Sequence, residues 1–295
     1  MARITTYPAI TSAQGTTNLD DSDVLILDGD GGSRKITAKE LATASADKLM
    51  QYTSSIPAGK SGLYRGASLG SGNTFAAAST SAQKAAIANG SFDGLFIGDY
   101  WTIGSRIYRI ADFNYWKRTG DTDFNTNHIV IVPDASFGNG KMNDTNDTTG
   151  AYVGSKMYTD ESSVLNTART TVSDHFGGYL ASHKIYLPNA TSSGAESAGA
   201  WVASTVDLMN ELMVYGQFIR NAPNGTSYLA TTEKSQLALF RLNPAMINPA
   251  RYYTWLRNVV SATSFASVNA LGYACFNSAS DSYGVRPAFA VKGTA

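Results

Sequence analysis

The sequence predicts an α+β fold, and three observations support that prediction. Short runs of β-branched and aromatic residues, such as 128–132, are typical of strands. Segments with helix-capping residues fall between groups of these runs and do not alternate with them one by one. The chain has 295 residues, of which 43% are hydrophobic, so it can bury a core without cross-links. Segregated helices and strands favour α+β over a doubly wound parallel sheet.

The first fifty residues are predicted to form a small separate module, residues 1–50. Segments 23–28 and 33–36 are the two strands of a hairpin around the glycine-rich turn 29–32. A helix follows, with Thr37 as its N-cap and Glu40 at the reciprocal capping position. A unit of this size buries little apolar surface alone. We therefore expect it to dock, either on its own C-terminal domain or a sister chain, or on a larger assembly.

A linker is predicted at residues 51–61, and the main domain at residues 62–295. Ser, Gly, Ala and Thr are frequent from Gln51 to Ala78, which is typical of a linker. The best-marked helix runs from Thr80 to Asn89, with Gln83 at the capping-box position and Gly90 as its stop. Two further helices are predicted at 161–176 and 204–215. Strands are predicted at 95–103, 106–111, 128–132, 184–187, 236–240 and 285–291.

The charge balance argues against nucleic-acid partners. The chain carries 23 basic and 23 acidic residues, and its formal net charge is zero. Binding to duplex nucleic acid or to an anionic membrane surface needs a basic patch, which the sequence lacks. No apolar run approaches the length of a membrane span, and residues 1–15 lack the apolar core of a secretory signal. We therefore expect cytoplasmic synthesis and no membrane insertion.

Catalytic chemistry has little support in the sequence. The three histidines, at 128, 175 and 183, do not show the i, i+4 spacing of a helical metal pair, and a structural role is expected for each. The lone Cys275 cannot form an internal disulfide or a cysteine metal cluster. No Gly-x-Ser-x-Gly elbow, phosphate-binding loop or dinucleotide fingerprint is present. We expect no catalytic residues and no enzymatic activity.

Two acidic clusters leave a calcium site as an alternative to ordinary polar turns. Asp121 lies near Asp123, and Asp144 lies near Asp147 in a loop rich in Asn, Thr and Gly. Calcium takes six to eight oxygen ligands, which such loops can supply. The same residue types are used by any polar turn. The polar turn is the expected reading, with no resident metal or cofactor.

The segment from Trp255 to Val291 has a specific frame around an unpatterned interior. We expect Trp255 in the core, and we expect Arg257 and Arg286 to hold the two ends by hydrogen bonds to carbonyl or carboxylate oxygens. The interior mixes small residues with isolated large ones and follows no helix or strand period. From Leu256 to Val291 there is no Trp, Gln, Glu, Lys or Met, although these types make up about a tenth of the chain. Such an interior is typical of a binding surface on a rigid scaffold.

The framing residues resemble a known family. Trp255-Leu-Arg257, Gly284-Val-Arg-Pro-Ala-Phe289 and Gly98-Asp-Tyr-Trp101 are similar to the C-type-lectin-like domains of bacteriophage proteins that are variable targets of diversity-generating retroelements. The resemblance covers about residues 62–295 and implies a variable region at about 255–291. In that family, randomised adenines turn AAC codons into codons ending in C, which encode every residue except the five types missing here.

The resemblance also implies which positions vary and bind ligand. Scaffold positions would be Ala266, Val268, Gly272, Ala274, Ala279 and Ser282. The candidate variable, ligand-binding residues are Ser264, Ser267, Ala270, Leu271, Tyr273, Cys275, Phe276, Asn277, Ser278, Asp281 and Tyr283.

The N-terminal module is similar to the leading segment of many phage head-fibre and tail-fibre proteins. This likeness implies that residues 1–50 anchor the chain to a capsid or tail protein. Together the two resemblances imply a virion adhesin, a homotrimer or another homo-oligomer, that binds a host cell-surface protein or glycan. Two alternatives stay open. One is a capsid decoration protein without a ligand, and the other is an enzyme similar to the lectin-like sulfatase-modifying oxidases, which need cysteine or metal chemistry.

Overall fold

The computed structural model describes residues 60–190, 196–220 and 235–295, together with the backbone of three short strands nearer the N-terminus. The chain divides into two compact units, Met1–Pro57 and Ala58–Ala295. In the first unit, β1 (Ile4–Thr5), β2 (Val24–Leu27) and β3 (Arg34–Thr37) form an antiparallel sheet in that order. The β2–β3 pair confirms the predicted hairpin. The helix predicted after Thr37 lies outside the described residues.

The second unit contains two larger sheets, a long hairpin and a few helices. The helices are α1 (Phe75–Ala78), α2 (Ser81–Asn89), α3 (Lys156–Thr159), α4 (Val164–Phe176), α5 (Glu211–Tyr215) and α6 (Ala238–Leu242). The strands are β4 (Ser68–Gly72), β5 (Tyr100–Ile103), β6 (Arg106–Phe113), β7 (Ile129–Pro133), β8 (Asn139–Gly140), β9 (Leu180–Ala181), β10 (His183–Ala190), β11 (Glu196–Ser204), β12 (Val206–Leu208), β13 (Thr254–Ser261), β14 (Ser264–Val268), β15 (Ala274–Ser278), β16 (Tyr283–Gly284) and β17 (Pro287–Val291).

The first sheet has the order β12-β17-β7-β6-β5-β4, with β9 also pairing with β17. Its pairs are antiparallel except β4 with β5. The second sheet has the order β15-β14-β13-β16-β8. Here β13 and β16 run parallel, and the other pairs are antiparallel. Strands β10 and β11 form a separate antiparallel hairpin. The unit is thus a mixed α/β structure, mostly sheet with few helices, which agrees with the predicted α+β class.

The core lies on both sides of the first sheet. Every residue of β7 is buried, so this strand is covered on both faces and reads as a continuous apolar run. Helix α4 packs on the sheet through an apolar stripe at helical spacing, of which Leu165, Val172 and Phe176 are members. Trp101 and Trp255 are fully buried, which confirms the core role expected for Trp255.

Local capping chemistry made two helix predictions accurate. The Thr80 hydroxyl accepts from Gln83 N at 3.1 Å, and the Gln83 side chain accepts from Thr80 N at 2.9 Å. Gly90 ends the helix with a φ of +74°, where a side chain would be strained. The predicted helix 161–176 is confirmed as α4, although it begins at Val164 after the N-cap Ser163.

Two predictions of element type were wrong, for different reasons. Segment 204–215 was predicted as one helix, but Val206–Leu208 form strand β12 and only Glu211–Tyr215 are helical. Pairing of Val206 with Phe289 in the first sheet outweighs the local helical pattern. Segment 236–240 was predicted as a strand, whereas Ala238–Leu242 form helix α6. Short buried apolar runs do not distinguish strand from helix by their period.

Two boundaries also differ from the prediction. The strand predicted at 95–103 is confined to β5, because Gly98 adopts a φ of +84° and turns the chain before it. The linker-like composition from Gln51 to Ala78 includes strand β4 and helix α1, so small residues there serve close packing. A side chain at Gly70 would meet the carbonyl oxygen of Ala78 at 2.2 Å.

Candidate functional site

The β14–β15 hairpin projects large apolar side chains into solvent from a rigid base. Its turn is fixed by Asn269, whose carboxamide oxygen accepts from Leu271 N at 2.9 Å and from Tyr273 N at 3.0 Å. Gly272 supplies the left-handed conformation of the turn, with a φ of +88°. The side chains of Leu271 and Tyr273 are 73% and 67% exposed, and Phe276 on β15 is 48% exposed.

Three more exposed apolar residues surround this hairpin. Among the described residues, the large hydrophobic side chains that are exposed are these three together with Ile219, Tyr252 and Tyr253. Tyr253 stacks on Tyr283 with ring centroids 5.0 Å apart, just before β13. We call the six exposed side chains the hairpin surface: Ile219, Tyr252, Tyr253, Leu271, Tyr273 and Phe276. Monomeric proteins rarely leave large apolar side chains grouped in solvent without a binding role.

Hydrogen bonds tie the outer members of the hairpin surface to the hairpin itself. Arg220, next to Ile219, donates from Nε to the carbonyl oxygen of Ala274 at 3.2 Å. The Arg220 guanidinium also lies 5.7 Å from the centre of the Phe276 ring. On the other side, the Asn248 amide donates to both the Tyr252 and the Asn269 carbonyl oxygens. These bonds hold Ile219 and Tyr252 beside the hairpin.

A buried carboxylate fixes the position of Arg220. Glu211 is fully buried, and its carboxylate accepts from the backbone N–H groups of Ile219 and Arg220 at 3.0–3.1 Å. The backbone N–H of Glu211 in turn donates to the side chain of Asn258 on β13 at 2.7 Å. The segment that carries Arg220 is therefore anchored to the same sheet as the hairpin.

The predicted ligand-binding residues fall into three groups. Leu271, Tyr273 and Phe276 are exposed, as a ligand-binding role requires. A second group is half-buried, and it consists of Ala270, Cys275, Asn277, Ser278, Asp281 and Tyr283. Asn277 donates to the Tyr283 hydroxyl at 3.1 Å, and burial with the nearby Asp281 charge raises the pKa of Tyr283. Asn277 and Tyr283 therefore stabilise the hairpin through contacts within the protein, whatever contacts they make with a ligand.

The remaining two predicted contacts, Ser264 and Ser267, are buried. Their strand β14 lies between β13 and β15, and all five of its residues are buried. The Ser267 hydroxyl donates to the Asn277 side chain at 2.6 Å and is not available to a ligand. The prediction that these two serines contact ligand was therefore wrong. The hydrophobic pattern of the sequence did not indicate that both faces of this strand are covered.

Three of the six expected scaffold positions are buried, and Ala274 is half-buried. Ala266, Val268 and Ala279 are buried, and Gly272 has the turn role described above. Ser282 was expected to be scaffold but is exposed. Tyr252, Tyr253 and Ile219 were missed by the sequence reasoning because they lie outside the segment that the frame delimits. The adjacent Tyr252-Tyr253 pair directly before the frame was the available signal.

The two framing arginines hold the base of the hairpin as expected. Arg257 donates to the Leu208 carbonyl at 2.8 Å. Arg286 donates to the Pro133, Met246 and Ile247 carbonyls at 2.6–3.0 Å. Burial lowers the pKa of Arg286 to about 10, so the guanidinium is still charged at neutral pH. The Arg257 bond joins β13 of the second sheet to β12 of the first, and the Arg286 bonds join β7 of the first sheet to the 3-10 helix Pro244–Ile247.

A groove of about 360 Å³ opens beside the hairpin turn. One wall is the turn, and the other is the segment that Arg286 holds through its carbonyls. Arg251 on this wall adopts a left-handed φ of 56°. The groove is lined by Pro244, Ala245, Met246, Asn248, Pro249, Arg251, Ala270, Leu271 and Gly272. The groove is therefore a recess next to the hairpin surface.

Three of the four acidic residues in the two clusters contact protein groups. Asp144 forms an ion pair with Lys156 at 2.8 Å, and Asp121 lies 3.3 Å from Lys184. Asp147 accepts from the backbone and the hydroxyl of Thr149, which lowers the pKa of its carboxyl. Within the described residues, no three His, Cys, Asp or Glu side chains group as metal ligands. Contacts of this kind are found in polar turns.

The histidines are placed as structural groups. His183 stacks on Trp116 with centroids 3.8 Å apart, and the His128 ring accepts from Trp116 N. Burial lowers the pKa of His128 to about 4 and that of His183 to about 3. Both rings are therefore neutral at physiological pH. His175 bonds the Tyr108 hydroxyl at 2.8 Å.

The chain was compared with known proteins. No protein-family model, curated protein or solved structure matches it. Among the residues that the structure describes, no helix combines the length and apolar character needed to cross a membrane. The geometry of the hairpin surface is thus the main guide to function.

Proposed function

We propose that this chain is a bacteriophage adhesin that displays the hairpin surface to a host cell-surface ligand. In this proposal, residues 1–50 attach to a capsid or tail protein, and residues 62–295 are a C-type-lectin-like domain. The observation that carries the proposal is the exposure of Leu271, Tyr273 and Phe276 on a hairpin whose supporting strand is buried. Rigid scaffolds with exposed loop side chains are where binding is commonly found.

The chemistry of the exposed side chains suits recognition. Tyr and Phe offer a large contact area and have few rotamers to freeze on binding. The Arg220 guanidinium beside Phe276 adds a charged group that can orient a partner. A patch this small binds weakly as a single copy. Several copies on one particle raise the avidity by orders of magnitude, which is why we propose a homotrimer or another homo-oligomer.

Exposed side chains and core packing are provided by different residues of the hairpin, as expected of a variable protein. Replacing Leu271, Tyr273 or Phe276 changes the surface without opening a cavity, because these side chains lie outside the core. The buried neighbours Ala266 and Val268 carry the packing. The absence of Trp, Gln, Glu, Lys and Met from Leu256 to Val291 supports codon-restricted variation of the exposed positions.

Sequencing the surrounding locus tests the variable-protein part of the proposal. We expect a near-identical, adenine-rich copy of the segment encoding 255–291, next to a reverse transcriptase gene. Differences between the two copies should concentrate at the codons of Leu271, Tyr273 and Phe276. A locus without the copy, or differences centred on Ala266 and Val268, contradicts diversification and favours a decoration protein.

Cell binding tests the adhesin part. Labelled full-length protein should bind permissive bacterial cells, and the double variant Tyr273→Ser, Phe276→Ser should bind at least about tenfold more weakly because its anchors are gone. The matched control is Lys156→Ser with Lys292→Ser, which changes two side chains outside the hairpin surface. Equal binding by wild type and the anchor variant contradicts the proposal. Immunolabelling of intact particles then tells capsid from tail attachment.

A further inference from the structure

Strand β15 is the end strand of the second sheet. In the sheet order β15-β14-β13-β16-β8, it pairs only with β14 among the described residues. Its residues are exposed or half-buried, in contrast to the fully buried β14. An end strand presents backbone donors and acceptors at regular spacing, which makes it a template for another strand.

The register shows which backbone groups of β15 face outward. Asn269 N donates to Tyr273 O at one end of the hairpin, and Ala279 N donates to Thr263 O at the other. Hydrogen-bonded pairs alternate with non-bonded pairs along an antiparallel ladder. Bonded pairs therefore recur at every second residue between these two ends of the hairpin.

The alternation leaves Phe276 open at the edge. Cys275 and Asn277 fall in bonded pairs with β14, so Phe276 between them points its N–H and C=O away from that strand. The Phe276 carbonyl accepts only a weak contact from the Cys275 thiol, at 3.6 Å, among the described residues. The same rule directs the Ala274 carbonyl outward, and this carbonyl indeed accepts from Arg220 and not from β14. The open edge thus begins beside Arg220 and continues past Phe276.

Charge distinguishes one end of this edge. Arg220 has no carboxylate within ion-pair distance among the described residues, and its guanidinium lies over the Phe276 ring. The buried Glu211 carboxylate binds the Arg220 backbone, not its guanidinium. A partner with an acidic side chain next to the edge would supply a counter-charge to the Arg220 guanidinium.

We infer that β15 binds an extended segment of a protein partner by strand addition, with an acidic side chain of that segment against Arg220. The partner backbone pairs with the outward N–H and C=O of Phe276, and its alternate side chains lie beside the Phe276 ring. The inference rests on the proposed function and narrows its ligand from protein or glycan to protein. Backbone groups at strand spacing match a polypeptide and do not match the hydroxyls of a sugar ring.

Amide hydrogen exchange of the free full-length protein tests the open edge first. The Phe276 amide should exchange at least about tenfold faster than the Cys275 and Asn277 amides, which are bonded to β14. Equal protection of all three amides means that another part of the chain, or a second copy, already covers the edge. Either case overturns the inference, and exchange measured at several protein concentrations tells the two apart.

Selection from a displayed library of random twelve-residue peptides tests strand addition directly. Peptides that bind the full-length protein should share an acidic residue among alternating apolar ones, and they should protect the Phe276 amide from exchange. Binding should fall at least about tenfold further in Phe276→Pro than in Phe276→Ala, because only proline removes the outward N–H. Equal binding to both variants, or an empty selection, overturns the inference.

Two measurements keep this test separate from the adhesin test. Should Phe276→Pro fail to fold, the best peptide with N-methyl groups on alternate residues replaces it, and N-methylation should abolish binding. Cell binding that is equal in Phe276→Pro and Phe276→Ala keeps the adhesin proposal and overturns strand addition. The same conclusion follows if the double variant Tyr273→Ser, Phe276→Ser loses cell binding while N-methylation does not change peptide binding. That result also keeps the adhesin proposal and overturns strand addition.

Discussion

Single residues in this protein divide into those that are displayed and those that support them. Phe276 and Phe265 lie on adjacent strands of one hairpin, yet the first is 48% exposed and the second is fully buried. Position relative to the sheet, not residue type, therefore decides what each phenylalanine contributes. The two residues form a natural pair for mutation.

The pair gives the first stability prediction. Phe276→Ala should change the free energy of unfolding by less than about 0.5 kcal/mol, as exposed substitutions do. Phe265→Ala should cost about 3–5 kcal/mol because it leaves a cavity in the core. Urea denaturation of both variants measures the difference. A large loss of stability in Phe276→Ala would show that its side chain supports the fold and would contradict a display role.

Arg286 illustrates a buried charge that holds elements together without a carboxylate bonded to it. Its guanidinium donates to three carbonyl oxygens, one of them on β7. Arg286→Met should lower the free energy of unfolding by about 2–4 kcal/mol, because the carbonyls lose their charged donor inside the protein. Arg241→Met is the matched control, since exposed Arg241 donates to the single Ser61 carbonyl. Equal losses of stability in the two variants would refute the role of Arg286.

At the scale of elements, the hairpin turn depends on one side chain. The Asn269 carboxamide oxygen accepts from Leu271 N and Tyr273 N and so presents both exposed residues. Asn269→Ala should destabilise the hairpin by about 1 kcal/mol and speed exchange of these two amides. Asn269→Asp keeps the acceptor oxygen and should preserve protection. Unchanged exchange in the alanine variant would show that Gly272 and the strands alone fix the turn.

Elements that depend on hydrogen bonds between residues close in sequence were predictable. Elements that depend on pairing with distant segments of the chain were not. Helix α2 depends on the capping hydrogen bonds of Thr80 and Gln83 and on the C-cap Gly90, all of which are local in sequence. The prediction of this helix was confirmed. Segment 204–215 failed because its first half pairs with β17, far along the chain. The burial of Ser267 likewise depends on distant parts of the chain, because all five residues of β14 are buried and both faces of this strand must therefore be covered. Tyr273 and Ser267 both lie in the unpatterned interior, yet the first is exposed and the second is buried, so the absence of a period did not distinguish them.

At the scale of the whole molecule, the C-terminal frame is a junction between two sheets. β17 lies inside the first sheet, while β13 to β16 form four of the five strands of the second, so one continuous segment joins the core to the hairpin surface. The sequence indicated the packed ends of this segment, but it did not indicate that the interior forms strands β13, β14 and β15, of which β14 is fully buried. The C-type-lectin-like assignment of the domain stays a prediction. The candidate site is therefore better defined than the family of the fold that presents it.

The stability of the whole molecule should depend on pH through its buried histidines. The pKa of His128 is lowered to about 4 and that of His183 to about 3, from an ordinary 6.5. Between these values and 6.5 the unfolded chain binds more protons than the folded chain, so stability falls as the pH falls. The contribution is fully present above pH 6.5 and is lost progressively below it.

This linkage predicts a loss on the order of 3 kcal/mol between pH 7 and pH 5, since each unit of pH is worth about 1.4 kcal/mol per histidine. Urea denaturation at the two pH values measures it. The exposed Asp147 and Asp160, whose carboxyl pKa values are lowered by hydrogen bonds, lose their contribution at more acidic pH. Burial also lowers the pKa of His175, which adds to the loss, and raises the pKa of the Asp112 carboxyl, which opposes it. His183→Phe keeps the stacking on Trp116 and should roughly halve the slope. A slope that is unchanged in this variant would mean that another group controls the acid sensitivity.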